Sequence, residues 1–255
     1  MAEWLIAWMS VFVRAGALLT VFPVFAGRNF PRPLRVGLAA LMGLLIAPMV
    51  VVPAGVGQHL GSVVLLLLAE MAAGLLMGFT CRMVFFAIEI AGGIITHEMA
   101  LNMAASFNPL SEQRAEAPTM ILYYLGAVLF FALDMHHWML AAFQQSYQVL
   151  PAGLIKPGEP LLRHVLGHSS RIFLLALQMA APVLAIAFLI TLLFTILGRA
   201  LPQMNVLTDS FPIRILAGLA GFGLTLSIMA QHVLNYLRRL PEDLLRVAQL
   251  LGLGG

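Results

Sequence analysis

The sequence predicts an all-α, polytopic, membrane-associated protein with long, broken helices and hairpins, built to pack against partner helices. Three observations predict it. Of the 255 residues, 61% are hydrophobic and only 10% charged, where ordinary globular chains hold about 45–50% and about 25%, and the mean hydropathy is +0.97. The apolar residues gather into stretches long enough to cross a hydrocarbon core at about 1.5 Å per residue. Charged side chains, Arg14, Glu70, Arg82, Glu89 and Arg214 among them, lie inside those stretches, where lipid alone would not hold them.

The first stretch is Trp4–Phe25. Glu3 stands where the basic region of a cleaved signal peptide belongs, and Arg14 interrupts the apolar run, so this segment is expected to stay in the mature protein. Gly27-Arg28-Asn29-Phe30-Pro31-Arg32-Pro33 cannot continue a helix, because prolines remove donors and restrict the residue before them. A second stretch, Leu34–Val52, ends at Pro53-Ala54-Gly55, and a third runs from Val63 to Ile95. The most polar loop follows, from Asn108-Pro109 through Ala117-Pro118. Thr119–Leu133 is short, and its apolar pattern resumes over Trp138–Leu150 after Asp134-Met135-His136-His137, which predicts a broken or kinked helix. Pro151 to Pro160 is a turn region. Ile172–Leu197 and Ile213–Leu237 are the last two stretches, separated by Gly198 to Pro212. The tail, residues 240–255, starts like a helix, with Pro241 in its first turn and Glu242 and Asp243 favouring the dipole. Val247, Leu250 and Leu251 give it one apolar side, suited to a membrane interface or a partner. The expected organisation is one domain over residues 1–255 ending in this short amphipathic tail.

Orientation is poorly declared. With six alternating spans, one side carries Lys156, Arg163, Arg171, Arg238, Arg239 and Arg246, and the other Arg28, Arg32, Arg35, Arg114 and Arg199. Six against five is no positive-inside bias, although the C-terminal arginines favour a cytoplasmic C-terminus. Phe30-Pro31 leading to Gly37-Leu38-Ala39 is echoed by Phe211-Pro212 leading to Gly218-Leu219-Ala220, two similar helix starts.

The embedded charges are Arg14, Glu70, Arg82, Glu89 and Arg214. Each would cost about 2.5–3.5 kcal/mol at a lipid-facing helix centre, so they are expected to face protein or a watery cavity, as inter-helix pairs or as a polar path. Arg82 and Glu89 are seven residues apart, about 10 Å along a helix, and cannot pair directly. Gly74 and Gly78, Gly92 and Gly93, and Gly218 and Gly221 are spaced for close helix approach. Gly223 and fifteen methionines, soft and adaptable in packing, accompany them.

Covalent chemistry finds little support. His164 and His168 have the i, i+4 spacing of a helical metal pair, and Asp134 lies close to His136 and His137. Yet there is no His-Glu-x-x-His motif, and Cys81 is the lone cysteine, so neither metal nor cofactor is expected. No nucleophile elbow or phosphate loop is present, and no enzyme is expected. The net charge is +3 and the basic residues are scattered, which gives no nucleic-acid face.

The order of several motifs is more specific. Pro23-Val24-Phe25-Ala26-Gly27-Arg28-Asn29-Phe30-Pro31-Arg32-Pro33-Leu34-Arg35 comes first. Glu70 through Gly78-Phe79 follows, then Ala91-Gly92-Gly93-Ile94-Ile95, Glu98-Met99-Ala100-Leu101 and Ala104-Ala105-Ser106-Phe107-Asn108-Pro109. Next are Phe131-Ala132-Leu133-Asp134-Met135-His136-His137, Ser146-Tyr147 and Leu150-Pro151-Ala152-Gly153. The last are Leu201-Pro202-Gln203-Met204-Asn205-Val206, Phe211-Pro212-Ile213-Arg214-Ile215 and Gly218-Leu219. In this order, over most of the chain, they resemble the FliR family, the R-type subunit of the flagellar type III export gate, and its injectisome relatives. Ala100 and Met135 stand where that pattern has glycine, and Leu207 where it commonly has Phe.

The resemblance implies a pore-forming subunit packed into a larger helical assembly with FliP-, FliQ- and FlhB-type subunits, conducting unfolded protein substrates. It implies a place in the bacterial inner membrane at the flagellar basal body, displaced towards the periplasmic side, where lipid and sister subunits share the apolar surface. It also implies that a loop, here Ser106, Phe107, Asn108, Pro109, Leu110 and Ser111 through Pro118, plugs the closed pore. Met99-Ala100-Leu101-Asn102-Met103-Ala104 and Phe211-Pro212-Ile213-Arg214 look more flagellar than injectisome. The rival readings are an injectisome gate subunit, a solute transporter using Glu70, Arg82, Glu89 and Asp134, and an intramembrane enzyme using Asp134, His136 and His137.

Overall fold

The structure is a computed structural model that describes residues 2–27, 30–102, 117–201, 203 and 205–253. The expected plug residues, Ser106 to Ser111, lie outside the described residues. The described residues are all-α. Helix α1 is Ala2–Val21, the short α2 is Pro23–Ala26, and α3 is Arg32–Ile46. Two 3₁₀ turns, Ala47–Met49 and Val56–Gln58, lead to α4, Leu60–Glu98. Then come α5, Ala117–Ala132; α6, Met135–Val149; α7, Glu159–Ala200; α8, Val206–Leu237; and α9, Leu240–Leu253.

Among the described residues, five helical segments are long and apolar enough to cross a membrane, and a sixth is present if the bent α5–α6 pair counts as one span. The ends differ from the apolar stretches in the sequence. Helix α7 begins at Glu159, well before Ile172, because Arg163, His164 and His168 are good enough helix residues to carry it through polar surroundings; Arg163 is held by Glu159 one turn back, at 2.7 Å. Helix α8 begins at Val206 and runs through Pro212, so that proline costs one backbone hydrogen bond without ending the helix.

The chain divides into two compact units. The first comprises Met1–Val84, Phe131–Ser169 and Leu237–Gly255. Here α1 packs along α3. The Trp8 indole donates to the Ala40 carbonyl at 3.3 Å and stacks on Phe12 at 5.2 Å. The α3 face beside it is open because residue 43 is glycine: a Cβ there would lie 3.0 Å from Trp8 Nε1. Helix α4 crosses α1 at Gly74 and Gly78. A Cβ on Gly74 would run into the Arg14 carbonyl and sit 2.8 Å from Ala17 Cβ, and one on Gly78 would lie 2.8 Å from the Leu18 carbonyl oxygen.

The C-terminal α9 packs on α6 of its own chain. Its Leu240, Leu244, Val247, Ala248 and Leu251 are buried, and Gly252 passes so close to α6 that a Cβ would lie 2.8 Å from the Val149 carbonyl oxygen. The apolar side that suits a membrane interface or a partner in the sequence is thus covered internally. Apolar periodicity reports that a face is covered, not by what.

The second unit comprises Phe85–Phe130 and Ser170–Tyr236. Gly92 of α4 meets Thr119 of α5 so closely that a Cβ would lie 2.5 Å from Thr119 Cα. Farther along the same pair, Phe85 and Tyr123 have ring centroids 5.3 Å apart. Gly126 makes room for Ile88, Gly218 of α8 for Met99, and Gly221 of α8 for Ile186 of α7. A Cβ on Gly93 or Gly223 would meet no atom of the described residues within 4 Å.

Ala100, just past the end of α4, has φ 58°. The Leu101 N–H reaches back to the Thr96 carbonyl at 3.2 Å, the six-to-one bond of a left-handed helix terminus that favours glycine. The glycine of the family pattern therefore has a physical reason at this position. At Met135 no such need exists, since it is the first residue of α6; the left-handed residue there is Asp134, φ 53°.

Gly74→Ala is expected to destabilise the protein by about 1–3 kcal/mol through overpacking on backbone. Gly93→Ala is expected to be neutral or to stabilise by up to about 1 kcal/mol, because helix-interior glycine is entropically costly. Thermal unfolding of the two variants in one detergent checks the contrast. Ala100→Gly should raise the unfolding midpoint: relieving a left-handed alanine gains about 1–2 kcal/mol, and the looser unfolded chain returns about half of that.

Candidate functional site: a sealed charge centre

Arg14 and Glu70 lie 56 residues apart in sequence. Each would be costly alone in an apolar interior. The structure places them against each other within the first unit, both side chains 1% exposed. Arg14 Nε donates to Glu70 Oε2 at 2.6 Å and Nη2 to Oε1 at 2.9 Å, a bidentate fork.

The remaining valences are used as well. Arg14 Nη1 donates to Ser146 Oγ at 3.2 Å, and Nη2 also reaches the Leu150 carbonyl at 3.2 Å. The Tyr147 hydroxyl donates to Glu70 Oε2 at 3.1 Å, and the Gly153 N–H to Oε1 at 2.9 Å. The guanidinium carbon sits 3.8 Å over the Tyr147 ring centroid, within cation–π range. One charge pair thereby joins α1, α4, α6 and the turn after α6.

Local sequence explains how each partner arrives. Ser146 and Tyr147 are neighbours in the last turn of α6; the Ser146 hydroxyl donates to Phe143 O at 2.6 Å, which turns its lone pairs to the arginine. The helix then ends in Leu150-Pro151-Ala152-Gly153. Gly153 has φ 77°, and a Cβ there would lie 3.3 Å from Leu66 Cγ, so only glycine brings its N–H to Glu70 without strain. Gly74 is one turn beyond Glu70 on the same face of α4 and lets that face approach α1. These partners were not singled out as site residues in the sequence. The signal that could have found them is a Ser-Tyr pair in an apolar helix, followed by a Gly-ended turn.

The other embedded charges are placed differently. Arg82 and Glu89 of α4 are half-buried, and neither lacks a partner. Arg214 of α8 donates from Nη2 to Thr191 Oγ1 of α7 at 2.6 Å, and its Nε is buried without a hydrogen bond. The His164 and His168 rings lie tilted against each other with centroids 4.7 Å apart, and His168 Nε2 lies 3.2 Å from Asp243 Oδ2 of α9. That contact ties α9 to the start of α7.

Chemically, the Arg14–Glu70 centre is closed. Each carboxylate oxygen accepts two hydrogen bonds, leaving little room for a solute or a proton in transit. The arrangement holds helices together.

Large apolar side chains remain exposed along the long helices, among them Phe173, Phe188, Leu189 and Ile196 of α7 and Leu216 and Leu224 of α8. Fold and charge centre together define a polytopic, all-helical membrane protein with a structural use for its buried charges and apolar faces left for its surroundings. Residues 5–240 match the family described as "Bacterial export proteins, family 1", and the chain belongs to that family. It is similar to the flagellar biosynthetic protein FliR of Caulobacter vibrioides, with 30% identity over 221 residues, 86% of this chain and 88% of the relative. The FliR of Pectobacterium carotovorum is 28% identical over 252 residues, 96% and 95% of the two chains. The Yop proteins translocation protein T of Yersinia pestis is 27% identical over 183 residues, 71% and 70%. Membership makes the chain a membrane-embedded component of protein export, with a structural part in it.

Removing one partner of a sealed pair leaves the other charge buried and unmatched, which costs about 3–5 kcal/mol. Glu70→Leu and Arg14→Leu are each expected to lose that much. The double variant Arg14→Leu/Glu70→Leu is expected to lose clearly less than their sum, because apolar replacement of both charges removes the mismatch. Denaturation midpoints of the three variants check the non-additivity.

Proposed function

We propose that this chain is a pore-forming structural subunit of the flagellar type III protein export gate. In this reading it assembles with FliP-, FliQ- and FlhB-type subunits and conducts unfolded substrates across the inner membrane at the flagellar basal body, displaced towards the periplasmic side. The observation that carries the reading is the family match over residues 5–240. The apolar side chains exposed on α4, α7 and α8 support it, since sister subunits and lipid would cover them.

Helix lengths support it too. At about 1.5 Å per residue, the 39 residues of α4 and 42 of α7 extend about 58 and 63 Å. A hydrocarbon core is about 30 Å thick. Even a steep tilt leaves much of each helix beyond the core, where protein neighbours must take over from lipid.

Flagellar export is favoured over an injectisome role by coverage: the FliR of Pectobacterium aligns over 96% of this chain and the Yersinia translocation protein over 71%. A solute transporter needs an accessible polar site in the membrane, and the saturated bonding of Arg14 and Glu70 offers none there. Ser106, Phe107, Asn108, Pro109, Leu110 and Ser111 are assigned, by resemblance, to a plug of the closed pore.

Co-expression tests the assignment. With FliP- and FliQ-type subunits the chain should purify in a complex, and alone it should aggregate; a monodisperse monomer expressed alone overturns the assembly. In the assembled gate, deleting Asn108–Glu116 should raise leakage of small ions, and unchanged leakage removes the plug.

A further inference from the structure

The start of α6 holds a second cluster, separate from the charge centre. Asp134 is its N-cap residue, with φ 53° and ψ 26°, a left-handed conformation uncommon outside glycine. Aspartate is among the best N-caps because its carboxylate accepts from the first helical N–H groups. Here it makes no such bond. The carboxylate stands in the open instead, 71% exposed and 3.7 Å from Nδ1 of His137, which is 70% exposed. The ring centroids of His136 and His137 lie 4.0 Å apart, and those of His136 and Phe131 5.6 Å apart.

One ligand atom from each of Asp134, His136 and His137 falls within 4.8 Å of the others. Nδ1 of His136 is buried and makes no hydrogen bond, although buried polar atoms are almost always partnered. Two imidazole nitrogens and a carboxylate oxygen are the donor set of zinc-type cations and suit magnesium or calcium poorly. Bonds of about 2.0–2.2 Å place tetrahedral ligand atoms about 3.4 Å apart. The Asp134–His137 pair is nearly there. Separations of up to 4.8 Å must close by at most about 1.4 Å to reach that spacing, within reach of side-chain rotation at the two exposed residues.

We propose that Asp134, His136 and His137 form a three-ligand site for a divalent transition cation of the zinc type, with water completing the coordination. The bound cation ties the left-handed turn at Asp134 to the first turn of α6, using a carboxylate that the helix itself leaves uncapped. The other histidine pair is engaged elsewhere, His168 with Asp243.

The test uses the full chain in its purified complex, free of any added histidine tag and stripped with a chelator. Zinc is titrated against a competing indicator, with cobalt as the optical probe. One equivalent per chain is expected in the parent protein. Asp134→Asn and His137→Ala, both exposed and harmless to packing, should each weaken it by more than the roughly 10–100-fold that losing an outer-shell partner costs. His164→Ala should leave it unchanged. No zinc equivalent in the parent, or one that survives both ligand variants, overturns the site; so does an equivalent that follows His164.

Discussion

The closest approach of α4 to α1 and the burial of the Arg14–Glu70 pair depend on each other. Gly74 lets the α4 backbone rest on the Arg14 carbonyl, and Glu70, one turn earlier on the same face, then meets the guanidinium of that same residue. A larger residue at position 74 would lift α4 away and lengthen both arms of the fork. Without the fork, two charges would be stranded in a dry interior, a far larger penalty than the pair's own net contribution. Small-residue packing and charge pairing are therefore one constraint here, and it fixes the register of α1 against α4.

The same pair explains why α6 ends as it does. Arg14 has more donors than Glu70 can take, and Glu70 more lone pairs than Arg14 can fill. Ser146, Tyr147, the Leu150 carbonyl and the Gly153 N–H supply the balance. The last turn of α6 and the glycine-ended turn after it thus complete a polar shell laid down by α1 and α4. Such a fully satisfied network in an apolar setting is rigid, since each member lost exposes another.

The legibility of this arrangement in the sequence was uneven. Apolar runs and proline breaks place most helices, because hydropathy and a missing donor act locally. Pro212 is the instructive exception: a proline near a helix start removes one bond, and the flanking residues kept their helical path. The early start of α7 at Glu159 escaped because polar helical surface carries no apolar signature. Arg14 and Glu70 were visible as embedded charges, but their partnership, 56 residues apart, depends on a helix crossing that periodicity cannot specify. The tail likewise declared an apolar side without naming α6 as its cover. Ala100 is the reverse case: the family pattern marks it as out of place, and its left-handed φ supplies the reason.

What remains exposed bears on the proposed role as a subunit. In a lone membrane protein, lipid covers apolar surface only over the thickness of the core, about 30 Å. Helices α4 and α7 are each about twice that long, and exposed Phe173 and Ile196 lie 23 residues apart in α7, about 35 Å along its axis. A single hydrocarbon layer covers both only if the helix is tilted to suit it, and Leu162 and Leu166 are exposed about two to three turns upstream of Phe173 in the same helix. The unsatisfied part needs protein against it. Meanwhile Arg14 and Glu70, two of the embedded charges, are spent on holding α1, α4 and α6 together. An apolar surface too long for the bilayer, around a polar centre closed to solutes, fits the proposed role as a subunit of a larger helical assembly, rigid inside and with apolar faces left for neighbours.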